Sequence, residues 1–427
     1  MLKKILQKKL KTLSSQIIRA HKPEIIGITG SVGKTTTKEA VAKVLQSRFT
    51  TRASYKNYNN EIGLPLTIIG AESPGRSLKG WMSVFKQAEK IISDPKVAYP
   101  EMLVLEMGVD HPGDMDYLIS IAKPSRAIIT RLGRAHVEFF SSVNELHQEK
   151  LKLAKALSLD GILIYNYDDE NVRSACSDFK VKTISYGLTI GADVRATNVS
   201  LHISKDKAEV GMTFKLEYDG SVVPVFIPGL ISRPSLLAGL AAAAVGFSYG
   251  FNGIEVSDAL HNFQIPPGRM NLIAGIQNTL IIDDSYNSSP EAASESIMTV
   301  LDLPQDQYNH SWAILGDMRE LGKESQSAHK QIGILCAEKK IDYLVTVGEE
   351  AGYISKSARE AGMKVKHIHH FTDSMTAAEF LVNNISDRDL ILIKGSQAVR
   401  MEKIVKKLMQ NPNQASELLV RQGIEWN

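Results

Sequence analysis

A glycine-rich turn near the start of the chain constrains its fold more than any other feature. The turn runs Gly27-Ile-Thr-Gly-Ser-Val-Gly-Lys-Thr-Thr-Thr37, overlaps the end of the apolar, strand-like run 25–28, and leads into a segment whose apolar residues recur at helical spacing. A strand, a glycine turn containing Gly-Lys-Thr and a helix form the usual cradle for a nucleoside triphosphate. The sequence therefore predicts a phosphate loop at this turn.

The residue types in this loop match the tasks of phosphate binding. Glycines let backbone N–H groups approach the phosphate oxygens, a lysine supplies positive charge near the β- and γ-phosphates, and the next hydroxyl can reach a Mg²⁺ ion. The strict pattern has one more glycine, where this chain carries Ile28, so an ordinary glycine-rich turn is the alternative. We expect the nucleotide to contact Gly30, Ser31, Val32, Gly33, Lys34, Thr35 and Thr36.

Length and composition narrow the class of protein. The 427 residues are enough for two or three domains, and the net charge of +3 gives no bulk electrostatic reason to bind nucleic acid. The two cysteines form neither a zinc-binding spacing nor a disulfide framework, which suits a reducing compartment. No apolar run approaches the roughly 18 residues that span a bilayer, and lysines interrupt the N-terminal apolar residues. We therefore expect a cytoplasmic protein without a signal peptide.

Strand-like and helical segments alternate along most of the chain, which predicts parallel βαβ units. We expect an α/β fold: a phosphate-loop ATPase domain with a mostly parallel sheet over residues 23–267, and a Rossmann-like α/β domain over residues 268–427. Period-two alternation indicates antiparallel strands at Val194–Ser200, Ala208–Tyr218 and Val222–Ile227. The other predicted strands are Ile25–Thr29, Met102–Leu105, Ala127–Thr130, Gly161–Tyr165, Thr279–Ile282, Trp312–Leu315, Tyr343–Val347, Val365–His369 and Leu390–Ile393. The predicted helices are 34–47, 113–122, 144–157, 290–302, 324–339, 350–361, 373–384 and 398–409.

Two segments combine apolar residues with lysines and carry no chemical motif. Residues 1–22 are predicted to form a basic amphipathic helix, and residues 68–100 look like an insertion with an amphipathic stretch around Trp81 and Phe85. The simplest interpretation is that both pack on the first domain. The alternative is a surface that binds a membrane or a partner protein.

Several polar side chains fall where a ligand crevice is expected. Glu106 ends an apolar strand, and the carboxyl ends of strands face the ligand in open α/β sheets, so it is a candidate Mg²⁺ ligand. Two further candidates are His136 and, fourteen residues later on a predicted helix, Lys150. The alternatives are that Glu106 is a solvated glutamate, that His136 is an ordinary loop histidine, and that Lys150 is a surface lysine in a lysine-rich stretch.

These and other motifs together resemble the Mur ligase family, over roughly residues 23–410. The phosphate loop is shared by many nucleotide-binding proteins, whereas the later motifs are more specific. The matching segments are Thr29–Lys38, Asn59–Pro65, Glu106–Gly108, Gly268–Met270, Asp283–Asn287, Gly316–Gly322 with His329, Lys394–Gln397 and Arg400–Glu402. Within the family they are most similar to the members that add D-alanyl-D-alanine to a UDP-N-acetylmuramoyl-tripeptide.

The resemblance implies an ADP-forming amide ligase of peptidoglycan precursor synthesis. ATP phosphorylates a terminal carboxylate of the acceptor, and the incoming amine then attacks the acyl phosphate. Charge develops at phosphorus and at the tetrahedral carbon, which implies Mg²⁺, here two ions, and cationic side chains. The resemblance assigns catalysis to Lys34, Lys150, His136 and Arg269, metal binding to Thr35, Glu106, His136 and Lys150, and nucleotide contacts in the second domain to Arg269, Asp284 and Asn287.

Lys150 falls where many family members carry a carbamylated lysine. CO₂ reacts with a neutral amine to give a carboxylate-like group on a long stem, which suits a second Mg²⁺ ion. Because the reaction needs the neutral amine, we expect the local environment to lower the pKa of this lysine.

The chain also departs from the family pattern. Family ligases usually carry an N-terminal domain that holds the UDP of the acceptor, and only about 22 residues precede the predicted phosphate-loop domain here. We expect no such domain in this chain, and expect a membrane surface or protein partner to replace it. The predicted enzyme is a monomer that acts on a muramoyl-peptide acceptor and D-Ala-D-Ala. There are two alternatives. One is a ligase for another acceptor, such as a polyglutamate or another wall polymer, and the other is a non-catalytic ATP-binding scaffold.

Overall fold

The computed structural model of the chain describes residues 2–55, 57–94, 96–203, 210–423 and 426. The chain forms two compact units. The central unit comprises Met1–Ser200, Met212–Pro228 and Ser235–Gln264, and the C-terminal unit comprises Leu201–Gly211, Gly229–Pro234 and Ile265–Asn427. Each is a sheet covered by helices.

The central sheet has nine strands in the order β2-β3-β1-β4-β5-β6-β7-β8-β9. The pairs from β2 to β7 are parallel. A two-residue turn, Asp219–Gly220, joins β8 to β9, and only antiparallel neighbours can be joined so briefly. The strands are β1 Glu24–Thr29, β2 Thr51–Ala53, β3 Met102–Glu106, β4 Arg126–Ile129, β5 Ile162–Asn166, β6 Lys182–Gly187, β7 Val194–Ile203, β8 Val210–Tyr218 and β9 Ser221–Pro228.

Nine α-helices accompany this sheet in the described part of the chain. They are α1 Leu2–His21, α2 Lys34–Leu45, α3 Gly63–Ile69, α4 Leu78–Ser93, α5 Asp114–Ile121, α6 Val143–Lys155, α7 Glu170–Cys176, α8 Arg233–Ser248 and α9 Gly253–His261. The central strands β1, β3, β4 and β5 are buried along nearly their whole length. Continuous apolar strands of this kind are expected when helices cover both faces of a parallel sheet.

The C-terminal sheet has six strands in the order β10-β11-β15-β12-β13-β14. Among the described strand pairs of this C-terminal sheet, only the edge pair β10–β11 is antiparallel. The strands are β10 Asn271–Ala274, β11 Leu280–Asp284, β12 Ser311–Gly316, β13 Tyr343–Val347, β14 Ile368–Phe371 and β15 Leu390–Lys394. The helices are α10 Pro290–Asp302, α11 Ser325–Glu338, α12 Gly352–Glu360, α13 Ser374–Asn384, α14 Glu402–Leu408 and α15 Ala415–Leu418. The predicted α/β class of both units is confirmed.

Most predicted elements are confirmed with ends shifted by one to three residues, and a few are wrong. The strand predicted at Val365–His369 begins only at Ile368, because Val365–His367 forms a 3₁₀ turn. The helix predicted to begin at residue 398 begins at Glu402, because Arg400 adopts the left-handed conformation with φ of 62°. The elements that were not predicted are strands β2, β6 and β10 and helices α3, α7, α9 and α15. The first residues of the predicted strand Ala208–Tyr218, positions 208 and 209, lie outside the described residues.

The N-terminal helix packs on the central unit, as the simpler interpretation predicted. Leu10, Leu13 and Ile17 of α1 are buried in the same apolar core as strand residues Leu103 and Leu105. Each fully buried leucine or isoleucine contributes about 1.5–3 kcal/mol. Helix α4, within the predicted insertion, packs beside α1: the His21 ring nitrogen Nε2 lies 2.8 Å from the backbone oxygen of Ile91. These contacts use only one face of each helix.

Candidate active site

The glycine turn after β1 has the backbone conformation of a phosphate cradle. Gly33 has φ of 86°, in the region that favours glycine. Gly30 has φ of 147°, and a Cβ atom there would lie 2.0 Å from the hydroxyl oxygen of Thr130. A side chain is therefore excluded at position 30 by both conformation and space. Helix α2 begins at Lys34, directly after the turn, so its first N–H groups point into the loop.

Residues after β4 hold the loop in place. Strand β1 pairs with β4, which brings the segment after β4 next to the loop. The backbone N–H of Ser31 donates to the backbone oxygen of Arg131 at 2.7 Å, and the Thr130 hydroxyl donates to the backbone oxygen of Val32 at 2.7 Å. The N–H of Gly133 donates to the Ser31 hydroxyl at 2.8 Å. These hydrogen bonds fix the conformation of the cradle, and a fixed conformation lowers the entropic cost of binding a ligand.

Glu106 lies at the end of β3, beside the start of α2. Its side chain is 2% exposed. The Thr35 hydroxyl donates to its Oε2 at 2.9 Å, and the Asn59 side-chain amide donates to its Oε1 at 3.0 Å. The Lys34 ammonium donates to the backbone oxygen of Gly30 at 2.7 Å. Of the predicted site residues, the structure therefore brings Thr35 into contact with Glu106, and Lys34 directly precedes Thr35.

This donor set fits a hard divalent cation next to a triphosphate. Mg²⁺ prefers oxygen ligands, and it usually takes only one or two protein oxygens, with phosphate oxygens and waters completing six. Glu106 and Thr35 supply two such oxygens, which are 2.9 Å apart. No cluster of three histidine, cysteine, aspartate or glutamate side chains with metal-binding geometry occurs among the described residues. Among the described residues, this donor set fits a metal shared with a nucleotide better than an all-protein metal cage.

Lys150 has a strongly perturbed amine. It lies on α6, is 1% exposed, and its Nζ atom has no hydrogen-bond partner among the described residues. Burial, with the positive charge of Lys34 nearby, lowers its pKa from 10.5 to about 7, against the opposing effect of Asp110 and Glu149. The lowered pKa that the sequence predicted is thus present, and a large fraction of this amine is neutral near pH 7.

His136 lies between β4 and α6 in the chain and next to Asp110 in space. Its backbone has φ of 71°, directly before a 3₁₀ turn at Val137–Phe139. Its Nδ1 atom lies 3.5 Å from Oδ1 of Asp110, the carboxylate that also acts electrostatically on Lys150. Asp110 follows β3 by four residues. It therefore links the two predicted metal residues that come from separate parts of the chain.

Glu149, the neighbour of Lys150, fixes helix α6 to the start of α5. Its Oε1 accepts the backbone N–H groups of Gly113 and Met115, each at 3.0 Å, and its Oε2 accepts the Lys152 ammonium at 2.6 Å. The carboxylate is nearly fully buried, and it satisfies N–H groups at a helix start that would otherwise lack partners. This contact sets the rotation of α6 and hence the direction in which Lys150 points.

The predicted residues of the C-terminal unit form a second group. Oδ2 of Asp284, at the end of β11, accepts the Lys394 ammonium at 2.6 Å and the Ser296 hydroxyl at 2.7 Å. The same ammonium donates to the backbone oxygen of Asn287 at 3.0 Å. Strands β11 and β15 are parallel neighbours with Asp284 opposite Lys394, so the sheet register itself makes this pair.

Arg269 lies against an aromatic ring in the C-terminal unit. Its guanidinium carbon is 4.1 Å from the ring centre of Tyr286, a cation–π distance. The backbone N–H of Tyr286 donates to the oxygen of Gly268, which ties the start of this unit to the turn after β11. Arg269, Asp284 and Asn287 are therefore gathered by one turn and the strands on either side of it.

Asp283, next to Asp284, lies in an environment that favours the protonated, neutral form of its carboxyl group. It is fully buried, and burial raises its pKa from 3.8 to about 7 even though the backbone N–H of Ser285 donates to it at 3.1 Å. The adjacent Asp284 carboxylate acts in the same direction. Of the two neighbouring acids, only Asp284 pairs with a cation across the sheet.

Two models of one protein family match consecutive parts of the chain. The Mur ligase middle domain matches residues 28–76 and 86–243, and the Mur ligase glutamate ligase domain matches residues 268–397. The chain belongs to the Mur ligase family. Members of this family are ATP-dependent ligases, and this protein is one of them.

Individual Mur ligases are similar to this chain over most of its length. A UDP-N-acetylmuramoyl-tripeptide–D-alanyl-D-alanine ligase of Bacillus subtilis (strain 168) is 29% identical over 405 residues, which cover 94% of this chain and 80% of the relative. The ligase of the same name from Escherichia coli (strain K12) is 29% identical, with coverage of 91% and 77%. The structure of MurF ligase from Thermotoga maritima in complex with ADP has a TM-score of 0.76 at 27% identity, covering 94% of this chain and 83% of that one.

Sequence analysis of this Mur ligase did not single out four residues that contact the candidate site residues of the two units. They are Asn59, Asp110, Thr130 and Lys394. Asn59 and Lys394 fall inside segments that matched the family pattern, so a signal for them existed. Asp110 and Thr130 follow strand ends, where the fold class alone predicts ligand-binding residues.

In the described part of the chain, no helix is both long and apolar enough to cross a membrane.

Proposed function

We propose that this Mur ligase joins D-alanyl-D-alanine to a UDP-linked muramoyl-tripeptide with conversion of ATP to ADP and phosphate. The observation that carries the proposal is the hydrogen-bonded phosphate loop with buried Glu106 bonded to Thr35. The acceptor and the dipeptide are taken from relatives of that name that align over most of this chain. The proposal includes a cytoplasmic monomer, in keeping with the use of ATP and with buried free thiols at Cys176 and Cys336.

The proposed reaction has two steps. A terminal carboxylate oxygen of the acceptor attacks the γ-phosphorus of ATP, the bond to the β-phosphate oxygen breaks, and ADP leaves. The amine of the dipeptide then attacks the acyl carbon, a proton leaves the nitrogen, and phosphate departs with the former acyl oxygen. Negative charge grows on oxygen in both steps. Preorganised cations next to those oxygens therefore stabilise the transition states more than the ground states.

Each site residue that was predicted in the central unit has a role in this proposal. Lys34 neutralises charge on the β- and γ-phosphates, while Glu106 and Thr35 hold Mg²⁺ against the same oxygens. Mg²⁺ supplies Lewis-acid polarisation of the phosphates when it is bound. His136 and carbamylated Lys150 hold a second Mg²⁺; the buried, largely neutral amine supports this assignment because only a neutral amine adds CO₂.

The C-terminal residues complete the proposed nucleotide site. Asp284, already held by Lys394, and Asn287 contact the nucleotide, and Arg269 faces the phosphates. The predicted nucleotide contacts are divided between two compact units. We therefore propose that the units close on ATP about a hinge near Gly268.

The test is a measurement of ADP release with a panel of acceptors. UDP-muramoyl-tripeptide plus D-Ala-D-Ala should give rapid ADP release, while either substrate alone should not. Lys34→Ala should abolish turnover, whereas Lys123→Ala, an exposed lysine away from the site, should not. Rapid ADP release only with a polyglutamate acceptor would show that the protein is a ligase with a different acceptor from the one proposed. No ADP release with any acceptor from folded protein would favour the ATP-binding scaffold.

A further inference from the structure

Helices α1 and α4 present a basic and apolar surface opposite their packed faces. We call it the α1–α4 face and define it by Lys4, Ile5, Lys8 and Lys9 of α1 and by Leu78, Lys79, Met82, Phe85 and Lys86 of α4. The face is formed by side chains mainly from the N-terminal halves of two neighbouring helices of the central unit.

Aliphatic side chains on this face are unusually exposed. Ile5 is 61% exposed, Leu78 is 78% exposed and Met82 is 56% exposed. Leu78 and Met82 are one helical turn apart and so lie on the same side of α4. Single exposed aliphatic residues are common, but three on two adjacent helices form a patch that invites an apolar contact.

A cation–π contact joins the two helices at this patch. The Lys9 ammonium lies 4.1 Å from the ring centre of Phe85. Ile5 precedes Lys9 by one turn of α1, and Met82 precedes Phe85 by one turn of α4, so each shares the side of its helix that carries this contact. The exposed aliphatic residues of both helices therefore belong to one neighbourhood.

Positive charge surrounds the patch. Of the five lysines of α1, Lys3 pairs with Glu61 and Lys11 donates to Ser120, which leaves Lys4, Lys8 and Lys9 for this face. Helix α4 adds Lys79 and Lys86 and contains one acidic residue. Lys4, Lys8, Lys79 and Lys86 are all exposed. The charge is local, because the whole chain has a net charge of only +3. A partner for this face must accept lysines and aliphatic side chains together.

We propose that the α1–α4 face binds the surface of an anionic phospholipid bilayer. Lysines meet lipid phosphates while aliphatic side chains between them enter the boundary with the acyl chains, which is how interfacial helices bind membranes. The opposite face of α1 is already buried through Leu10, Leu13 and Ile17, so the helix stays folded on the protein and the central unit lies flat on the membrane. Nucleic acid would use the lysines but leave Ile5, Leu78 and Met82 without a role.

Vesicle co-sedimentation of the full chain tests the proposal. Vesicles of phosphatidylglycerol and phosphatidylcholine in equal parts should bind the protein, vesicles of phosphatidylcholine alone should bind it far less, and added salt should release it. The double variant Lys4→Ala/Lys8→Ala should bind roughly 25-fold more weakly, at about fivefold per lysine. Leu78→Gln/Met82→Gln should bind at least about tenfold more weakly at unchanged charge.

Matched controls make the outcomes decisive. Lys356→Ala/Lys366→Ala removes two exposed lysines from the C-terminal unit and should leave vesicle binding unchanged. All variants should retain the parent melting temperature and ADP release in solution, because none touches the proposed active site. Equal binding to both kinds of vesicle, or loss of binding in the control variant to the same extent, would overturn the proposal. Vesicle binding that single-stranded RNA displaces, with no effect of Leu78→Gln/Met82→Gln, would assign the face to nucleic acid instead.

Discussion

Lys150 should form a carbamate more readily than an ordinary lysine of this protein. Its pKa of about 7 compares with 10.5 for an ordinary lysine. At a pH of about 8, roughly 90% of the Lys150 side chain is then neutral, against about 0.3% of an ordinary lysine. Since only the neutral amine adds CO₂ and releases a proton, Lys150 has an advantage of roughly 300-fold in reactive amine.

Carbon-13 NMR of the protein in labelled bicarbonate measures this directly. The parent should show one strong carbamate resonance at a pH of about 8, and the signal should weaken as the pH falls through about 7, where the amine becomes protonated. Lys150→Ala should lack the resonance. Lys155→Ala, which removes an exposed lysine of the same helix, should retain it.

The same variants separate the carbamate from simple burial. If Lys150 acts as a carbamate, Lys150→Ala should lose most ADP release, and a short carboxylate in the buffer should restore part of it. Removing CO₂ should slow the parent. A parent spectrum without a carbamate resonance, or one that Lys150→Ala shares, would refute the reasoning from burial to reactivity.

Three further outcomes are expected. Glu106→Ala should lower the rate of ADP release about 10²–10³-fold with an unchanged melting temperature, since it removes a metal ligand; near-parental turnover would exclude that role. Asp283→Asn should raise the melting temperature more at a pH of about 8 than at about 4: the folded-state pKa of about 7 exceeds the unfolded 3.8, so the parent loses stability as pH rises between these values. A pH-independent difference would contradict this. Small-angle scattering should show compaction with a non-hydrolysable ATP analogue and acceptor; unchanged dimensions would argue against a hinge near Gly268.

The parts of the fold that the sequence predicted well depend on local patterns. The phosphate loop, its flanking strand and helix α2 were predicted because glycine conformation, strand apolarity and helical spacing are each encoded within a few residues. Helix α3 was missed because Gly63 and Pro65 at its start read as a turn. Arg400 was assigned to a helix because its left-handed conformation has no composition signal. These errors occur where tertiary contacts override local propensity.

The burial of Lys150 was within reach of the sequence but was not deduced from it. Lys150, Lys152 and Lys155 look alike in composition. Helical phase distinguishes them, because Lys150 lies one turn after buried Leu146 and one turn before buried Leu153. The contacts that set the value of its pKa were not predictable, since Lys34 at the start of α2 and Asp110 after β3 are distant from Lys150 along the chain and approach it only in the folded unit.

The N-terminal helix shows what an amphipathic pattern leaves open. Packing on the first domain and binding of a membrane were set out as alternatives, and the structure shows the packing through Leu10 and Ile17. The pattern itself defines two faces of one helix, and burial of one face does not determine what the other meets. Ile5 breaks the pattern, because an aliphatic residue with 61% exposure lies away from the packed face. It is this exception, together with Met82 on the neighbouring helix, that distinguishes a binding surface from an ordinary solvated face.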